Sequence, residues 1–206
     1  MSKNLPIFKI ITLGNSGVGK TSILNRFISG KFVENTNSTI GIEFSMKQLT
    51  IKNNITITLK LVDTCGQEKY RSISKQYFRN CDAVFFVFAF NNKNSFEDIK
   101  DWITLFGKNH NGKENIPKIL VGNKCDINSK DIEQNLIDNF EKDQNIKFIE
   151  TSAKDNLNIN NLFQEIAEIL FDNYNQSGSE KKSQNTIKVN ENKMEKKNCC
   201  LGMSDL

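Results

Sequence analysis

The chain has 206 residues, 37% of them apolar and 9% aromatic, which suits one globular domain with a full core plus a tail. Its net charge of +4 is mild, and no basic stripe interleaved with aromatics occurs, so nucleic-acid binding has no support. The longest apolar run, Ala83–Phe90, is far too short to span a bilayer.

Met1-Ser2-Lys3-Asn4 leads straight into an apolar stretch, so neither a signal peptide nor a Met-Gly myristoylation start is expected. Ile7–Leu13 is β-branched and apolar and predicts a buried strand. Ser22–Ile28 has apolar residues at helical spacing. Between them lies Gly14-Asn15-Ser16-Gly17-Val18-Gly19-Lys20-Thr21, the pattern G-x-x-x-x-G-K-T. A strand, a glycine turn and a helix N-terminus make an anion site, because backbone N–H groups and the positive end of the helix dipole point inward together. Ser16, Gly17, Val18, Gly19, Lys20, Thr21 and Ser22 are the expected nucleotide contacts. Lys20 would reach the outer phosphates, and the Thr21 hydroxyl would ligate a magnesium ion bridging them. The plainer reading, a glycine turn that happens to carry Lys-Thr, is opposed by the strand and helix on either side.

Lys31–Thr39 is polar and aperiodic and predicts a long loop. Phe44–Ile51 and Ile55–Val62 alternate and are separated by Lys52-Asn53-Asn54, which predicts a hairpin and one antiparallel pair. Strand, loop and helix then repeat: strand Ala83–Phe90 with a helix near Ser95–Phe106, strand Lys118–Val121 with a helix near Ile132–Glu141, and strand Lys147–Ile149 with a helix near Ile159–Tyr174. Ser95-Phe96-Glu97-Asp98 resembles a capping box. The alternation predicts an α/β domain with a mostly parallel sheet, whose ligands bind beyond the carboxyl ends of the strands.

Three loops after strands carry further chemistry. In Val62-Asp63-Thr64-Cys65-Gly66-Gln67-Glu68, Asp63 is placed to hold the magnesium hydration shell. Gly66 has no side chain to keep its N–H from a terminal phosphate, and Gln67 would orient an attacking water. In Asn123-Lys124-Cys125-Asp126, the Asp126 carboxylate would accept from two neighbouring N–H groups, a pair that guanine offers and adenine does not. Asn123 and Lys124 would buttress that pocket. In Glu150-Thr151-Ser152-Ala153-Lys154, backbone N–H groups near Ser152 and Ala153 would meet the guanine carbonyl oxygen, and the Lys154 stem would cover the base. Cys65, Cys81 and Cys125 are far apart and form no metal spacing. The single histidine, His110, lies in a polar stretch and predicts a loop residue. Two glycosylation-like triplets, at Asn37 and Asn54, are read as coincidence.

The ordered set Gly14–Thr21, Thr39, Asp63–Gln67, Asn123–Asp126 and Thr151–Lys154 resembles the Ras superfamily of small GTPases from about Phe8 to Tyr174. The resemblance implies a phosphate-loop small G domain over residues 1–174, with a six-stranded sheet, one antiparallel strand and five helices, followed by a disordered tail over 175–206. It implies GTP and GDP as ligands with Mg²⁺ as cofactor. It makes Thr39 the switch threonine on the metal and terminal phosphate, and Phe32 the aromatic packed on guanine. It also makes Gln67, Lys20, Thr39 and Gly66 the catalytic set.

The closest branch is Rab, on Ser38–Phe44, Lys69–Ile73 and Gln76–Arg79. That branch implies an effector surface of Ile40, Gly41, Ile42, Glu43, Phe44, Val62 and Tyr77. It implies an exchange factor, a GTPase-activating protein, a GDP-dissociation inhibitor or escort protein, and effectors, with the protein a monomer on the cytoplasmic face of an intracellular membrane. Val62 stands where the Rab pattern has tryptophan and Cys65 where it has alanine, which should reshape the effector surface but not the nucleotide chemistry.

The tail carries Cys199-Cys200 after Lys196-Lys197, as in a Rab double-cysteine prenylation site, yet Leu201–Leu206 follow it. Dual prenylation, palmitoylation and no lipid all stay open, and only two lipids give stable anchoring. No arginine lies between Lys31 and Thr39 to act in cis, so intrinsic hydrolysis should be slow. A metabolic kinase would want an acceptor site and a lid instead, and a cytosolic GTP-dependent interaction module would lack the membrane anchor.

Overall fold

The computed structural model describes residues 6–34, 39, 41–64, 77–111, 115–128 and 130–176. Two units divide the chain, Met1–Leu170 and Phe171–Leu206; of the second, residues 171–176 are described and are helical.

The first unit holds six strands: β1 Ile7–Leu13, β2 Ile42–Ile51, β3 Ile55–Thr64, β4 Ala83–Ala89, β5 Lys118–Asn123 and β6 Lys147–Glu150. Their helices are α1 Lys20–Ser29, α2 Lys93–Glu97, α3 Ile99–Asn109 and α4 Gln134–Gln144, with α5 beginning at 159. The sheet order is β2-β3-β1-β4-β5-β6. Only β2 with β3 is antiparallel; the pairs β1–β3, β1–β4, β4–β5 and β5–β6 are parallel. Chain order reverses at β1, so the crevice beyond its carboxyl end is the topological switch point where open α/β sheets bind ligands.

The expected six-stranded sheet is present; β1 has the expected bounds, β2, β3, β5 and β6 run one to two residues longer, and β4 stops one residue sooner. The β2–β3 turn is a single 3₁₀ turn, Lys52–Asn54, closed by Asn53 and Asn54 at φ 60 and 56. Asparagine tolerates that left-handed backbone better than most residues. Every residue of β4 is buried, as a central strand covered on both faces requires. Phe86, Phe88 and Phe90 sit with Trp102, Phe106 and Phe140 in one core cluster. On another part of the core Phe27 of α1 stacks on Phe163 with ring centroids 3.8 Å apart. Packing of such rings holds the helices to the sheet and thereby fixes the loops at its carboxyl edge.

One local expectation is corrected. The helix near Ser95–Phe106 is two helices, α2 and α3, meeting at Asp98. Ser95 is not its cap: the Asn92 side chain accepts from the Ser95 N–H at 3.0 Å, and the Ser95 hydroxyl turns back to the Asn92 carbonyl at 2.6 Å. Asn92 is the better cap because it precedes the first helical residue in extended backbone. His110 lies just past the last helical residue, as a loop residue in extended backbone. It closes α3, stacks on Phe106 at 4.9 Å and bonds the Phe78 carbonyl through Nδ1 at 2.9 Å. Cys81 and Cys125 are free thiols.

Candidate nucleotide site

The loops after β1, β5 and β6, the start of α1, and Thr39 surround one cavity of about 480 Å³. Gly14 leaves β1 at φ 147, and a Cβ there would overlap the Val87 carbonyl oxygen of β4. Gly19 enters α1 at φ 94, and a Cβ there would overlap the Asn123 side chain. Both glycines are needed where loop backbone approaches its neighbour this closely. Lys20 is buried, and its ammonium donates to the Gly14 and Asn15 carbonyls at 2.8 Å each. The loop thus wraps a fixed positive charge, with the N-terminus of α1 beneath it.

Thr21, Thr39 and Asp63 converge. The two hydroxyl oxygens lie 2.8 Å apart, and Thr21 donates to Asp63 Oδ2 at 2.6 Å. Asp63 Oδ1 is buried with no hydrogen-bond partner among the described residues. Burial raises the Asp63 carboxyl above the usual range, with the Thr21 hydrogen bond and Lys20 opposing and Glu43 adding to the rise. Glu43 is its register partner across the β2–β3 ladder. An unpartnered buried carboxylate oxygen beside two hydroxyls is an uncomfortable arrangement that a hard cation would relieve. Among the described residues, no group of three or more His, Cys, Asp or Glu stands ready to hold a metal. One carboxylate with two hydroxyls is the sparse protein set that Mg²⁺ takes when phosphates and water complete its shell. The residues therefore fit that ion.

The opposite side of the cavity is built for a base. Asn123 is buried and ties three segments together. Its amide donates to the Val18 carbonyl at 2.9 Å, while its Oδ1 accepts from Thr151 Oγ1 and from the Ala153 N–H, each at 3.3 Å. Asp126 is held by the Ser152 hydroxyl at 2.6 Å, and that hydroxyl also accepts from the Asp155 N–H at 2.9 Å. Lys124 has φ 63 and, among the described residues, is the one positive-φ residue that is neither Gly nor Asn. Backbone strain of that kind persists where surroundings over-determine it, and it clusters at functional sites.

Ser16, Gly17, Gly19, Lys20, Thr21, Ser22, Phe32, Thr39, Asn123, Lys124, Asp126, Ala153 and Lys154 all line the cavity as expected. Val18 and Ser152 stand behind it, the first through its carbonyl and the second through Asp126. Gly66, Gln67, Cys65, Ile40, Cys199 and Cys200 lie outside the described residues. On the expected effector surface, Phe44 is 48% exposed and packs on Tyr77 at 5.5 Å between ring centroids, with the Lys60 ammonium 5.2 Å from the centroid of the Phe44 ring. Gly41 opens β2 at φ 90, followed by Ile42 and Glu43 at its start. Val62 is the correction: it is fully buried, a member of the core cluster, and presents no surface. A side chain smaller than an indole at this point on β3 sinks below its neighbours.

The sequence reading missed Asn15, Glu34, Arg26, Thr64 and Ile127. Glu34, Thr64 and Ile127 line the cavity. Asn15 donates to Asp98 at 2.6 Å and accepts from Trp102 Nε1 at 2.8 Å, which locks α3 to the phosphate loop. Only the presence of a lone tryptophan on a helix hinted at such a contact.

This fold and cavity define a phosphate-loop nucleotide-binding α/β protein. Residues 9–172 match the Ras family. The chain is 36% identical to Ras-related protein Rab-8A of Bos taurus over 162 residues, 78% of this chain and 77% of that one. It is 32% identical to Rab-13 of Rattus norvegicus over 200 residues, 95% and 97% of the two chains, and 38% identical to Rab-1D of Dictyostelium discoideum over 157 residues, 76% of each. The chain belongs to the Ras family and is a small GTPase of the Rab kind, binding guanine nucleotide.

Proposed function

We propose that this GTPase is a GTP/GDP switch in vesicle-mediated membrane traffic, with a G domain over 1–174 and a lipid-bearing tail over 175–206. The observation that carries the reading is the meeting of Thr21, Thr39 and Asp63 at one end of a cavity whose other end holds Asp126. Thr39 belongs to the segment between α1 and β2, so a ligand that engages it ties that segment to the phosphate loop. A ligand lacking the last phosphate engages it less, and the segment relaxes.

Mg²⁺, held by Thr21, Thr39 and Asp63, would supply positive charge to the phosphate oxygens. Lys20 neutralises the outer phosphates, Gly66 presents its N–H to the last of them, and Gln67 orients the attacking water. With no arginine in cis between Lys31 and Thr39, turnover is slow until an activating protein contributes one, worth on the order of 10³–10⁵ in rate. Phe44 and Tyr77, with Ile40, Gly41, Ile42 and Glu43, form the surface that effectors read. Prenyl groups on Cys199 and Cys200 would hold the protein on the cytoplasmic face of an intracellular membrane, and an escort or dissociation inhibitor would return it to the cytosol. Among the described residues no helix is long and apolar enough to cross a membrane.

Single-turnover GTP hydrolysis by the full chain tests the switch. Gln67→Leu is expected to slow it, and an unchanged rate would remove Gln67 from the water-orienting role. Fractionation of cells carrying Cys199→Ser/Cys200→Ser tests the anchor. An unaltered distribution would favour a cytosolic interaction module.

A further inference from the structure

We propose that Arg26 is a positioning residue for the guanine base, acting from α1 on the loop after β6. The half-buried guanidinium makes three hydrogen bonds of 2.7 Å each. Nε donates to the Ala153 carbonyl, Nη2 to the Lys154 carbonyl and Nη1 to the Gly30 carbonyl. The Gly30 bond is what any arginine in the last turn of a helix would make. The other two bonds are not of that kind: they cross 127 and 128 residues of chain. They grip consecutive carbonyls of the loop proposed to read the base. The Phe32 ring lies 5.7 Å from the same guanidinium, so one side chain touches both the loop under the base and the aromatic expected over it.

A planar fork of donors holds two adjacent carbonyls in fixed directions, whereas an ammonium is a point charge with freely turning donors and does not impose that geometry. A trans peptide sets a carbonyl opposite the N–H of the next residue, so the Ala153 carbonyl held by Arg26 fixes the direction of the Lys154 N–H, and Lys154 lines the cavity. Asn123 fixes the same stretch of backbone by accepting from the Ala153 N–H at 3.3 Å. Arg26 therefore joins the helix that begins at the phosphates to the loop that reads the base carbonyl. The inference rests on the reading of that loop as the guanine O6 site.

The test compares release of GDP and of 6-thio-GDP from the full chain and its Arg26→Lys and Arg26→Ala variants. The sulfur analogue keeps the guanine ring N–H and amine and alters only the carbonyl acceptor. Wild type should hold GDP more tightly than 6-thio-GDP. Arg26→Ala should release GDP on the order of tenfold faster, the weight of one well-made hydrogen bond, and release 6-thio-GDP nearly as before, so the preference collapses. Arg26→Lys, which keeps the charge and the stem, should lose most of the preference too. Equal acceleration of both nucleotides, or a lower melting temperature with the preference intact, would overturn the assignment and leave Arg26 a purely structural arginine. Unchanged release would also overturn it. If wild type itself fails to distinguish the two nucleotides, the reading of the loop as an O6 site falls, and the proposal with it.

Discussion

Asp126 and Ser152 meet at 2.6 Å on the wall of the cavity, which orients the carboxylate before any base arrives. A carboxylate set this way accepts from the guanine ring N–H and amine. Replacing it by an amide turns an acceptor into a donor, and xanthine offers a carbonyl where guanine has its amine. Asp126→Asn is expected to weaken GTP binding roughly 10²-fold and to favour the xanthine nucleotide, as competition binding would reveal. Cys81 has a different residue-scale consequence. Burial pushes its thiol from an ordinary 9.0 up to about 12, with Lys9 pulling the other way. The unfolded chain would lose this proton first, so the folded state's advantage is complete below pH 9 and is lost as pH climbs toward 12. The slope is about 1.4 kcal/mol per unit. Denaturant titrations of wild type against Cys81→Ala across that window isolate the thiol from Lys9, whose own lowered pKa acts in the opposite sense. The wild type should lose stability faster than the variant, and native Cys81 should resist alkylation at pH 8.

β5 shows how an element is constrained from both sides. Its Gly122 faces three rings, and a Cβ there would lie 2.8 Å from Phe88, 2.9 Å from Phe148 and 3.0 Å from Phe90. Gly122 also accepts from the Thr151 N–H at 2.8 Å, and Asn123 follows it directly. Gly122→Ala must move aromatic side chains that already pack edge to face, Phe88 against Phe90 at 5.5 Å. The expected cost is about 1–3 kcal/mol, read as a lower unfolding midpoint in urea. α3 is constrained differently: Asp98 and Trp102 at its start both bond Asn15. That tertiary contact accompanies the break between α2 and α3, a break that apolar spacing alone could not foretell.

For the whole molecule, the division after Leu170 sets the unit that holds the sheet apart from a stretch rich in Asn, Ser, Lys and Glu. The tail's lysines, 181, 182, 188, 193, 196 and 197, only just outnumber its acids, 172, 180, 191, 195 and 205. Such a composition is a weak electrostatic anchor, so in the proposed function lipids on Cys199 and Cys200 would supply the affinity. A chain ending at Gln176 is therefore expected to retain GDP and to melt as the full chain does, yet to lose its membrane fraction in sedimentation. Loss of nucleotide retention in that truncation would instead make the tail part of the G domain.

The run of strands and helices along the chain, the glycine turn, and the identities of Lys20, Thr21, Asp63, Asn123 and Asp126 were legible in the chain because their signals are local. A period of two or 3.6, a glycine where the backbone crowds, and a polar residue at a strand's end all act within a few residues. The contact of His110 with Phe78, the burial of Val62 and the meeting of Arg26 with Ala153 were not legible. Each depends on which distant segment lies alongside, and that is settled only when β1 pairs with β3 and β4 and the core rings close. Sequence alone determined that phosphates and guanine would be bound. Tertiary packing decided which side chains hold the two halves of that site in register, because carbonyls more than a hundred residues apart share one guanidinium only in the folded chain.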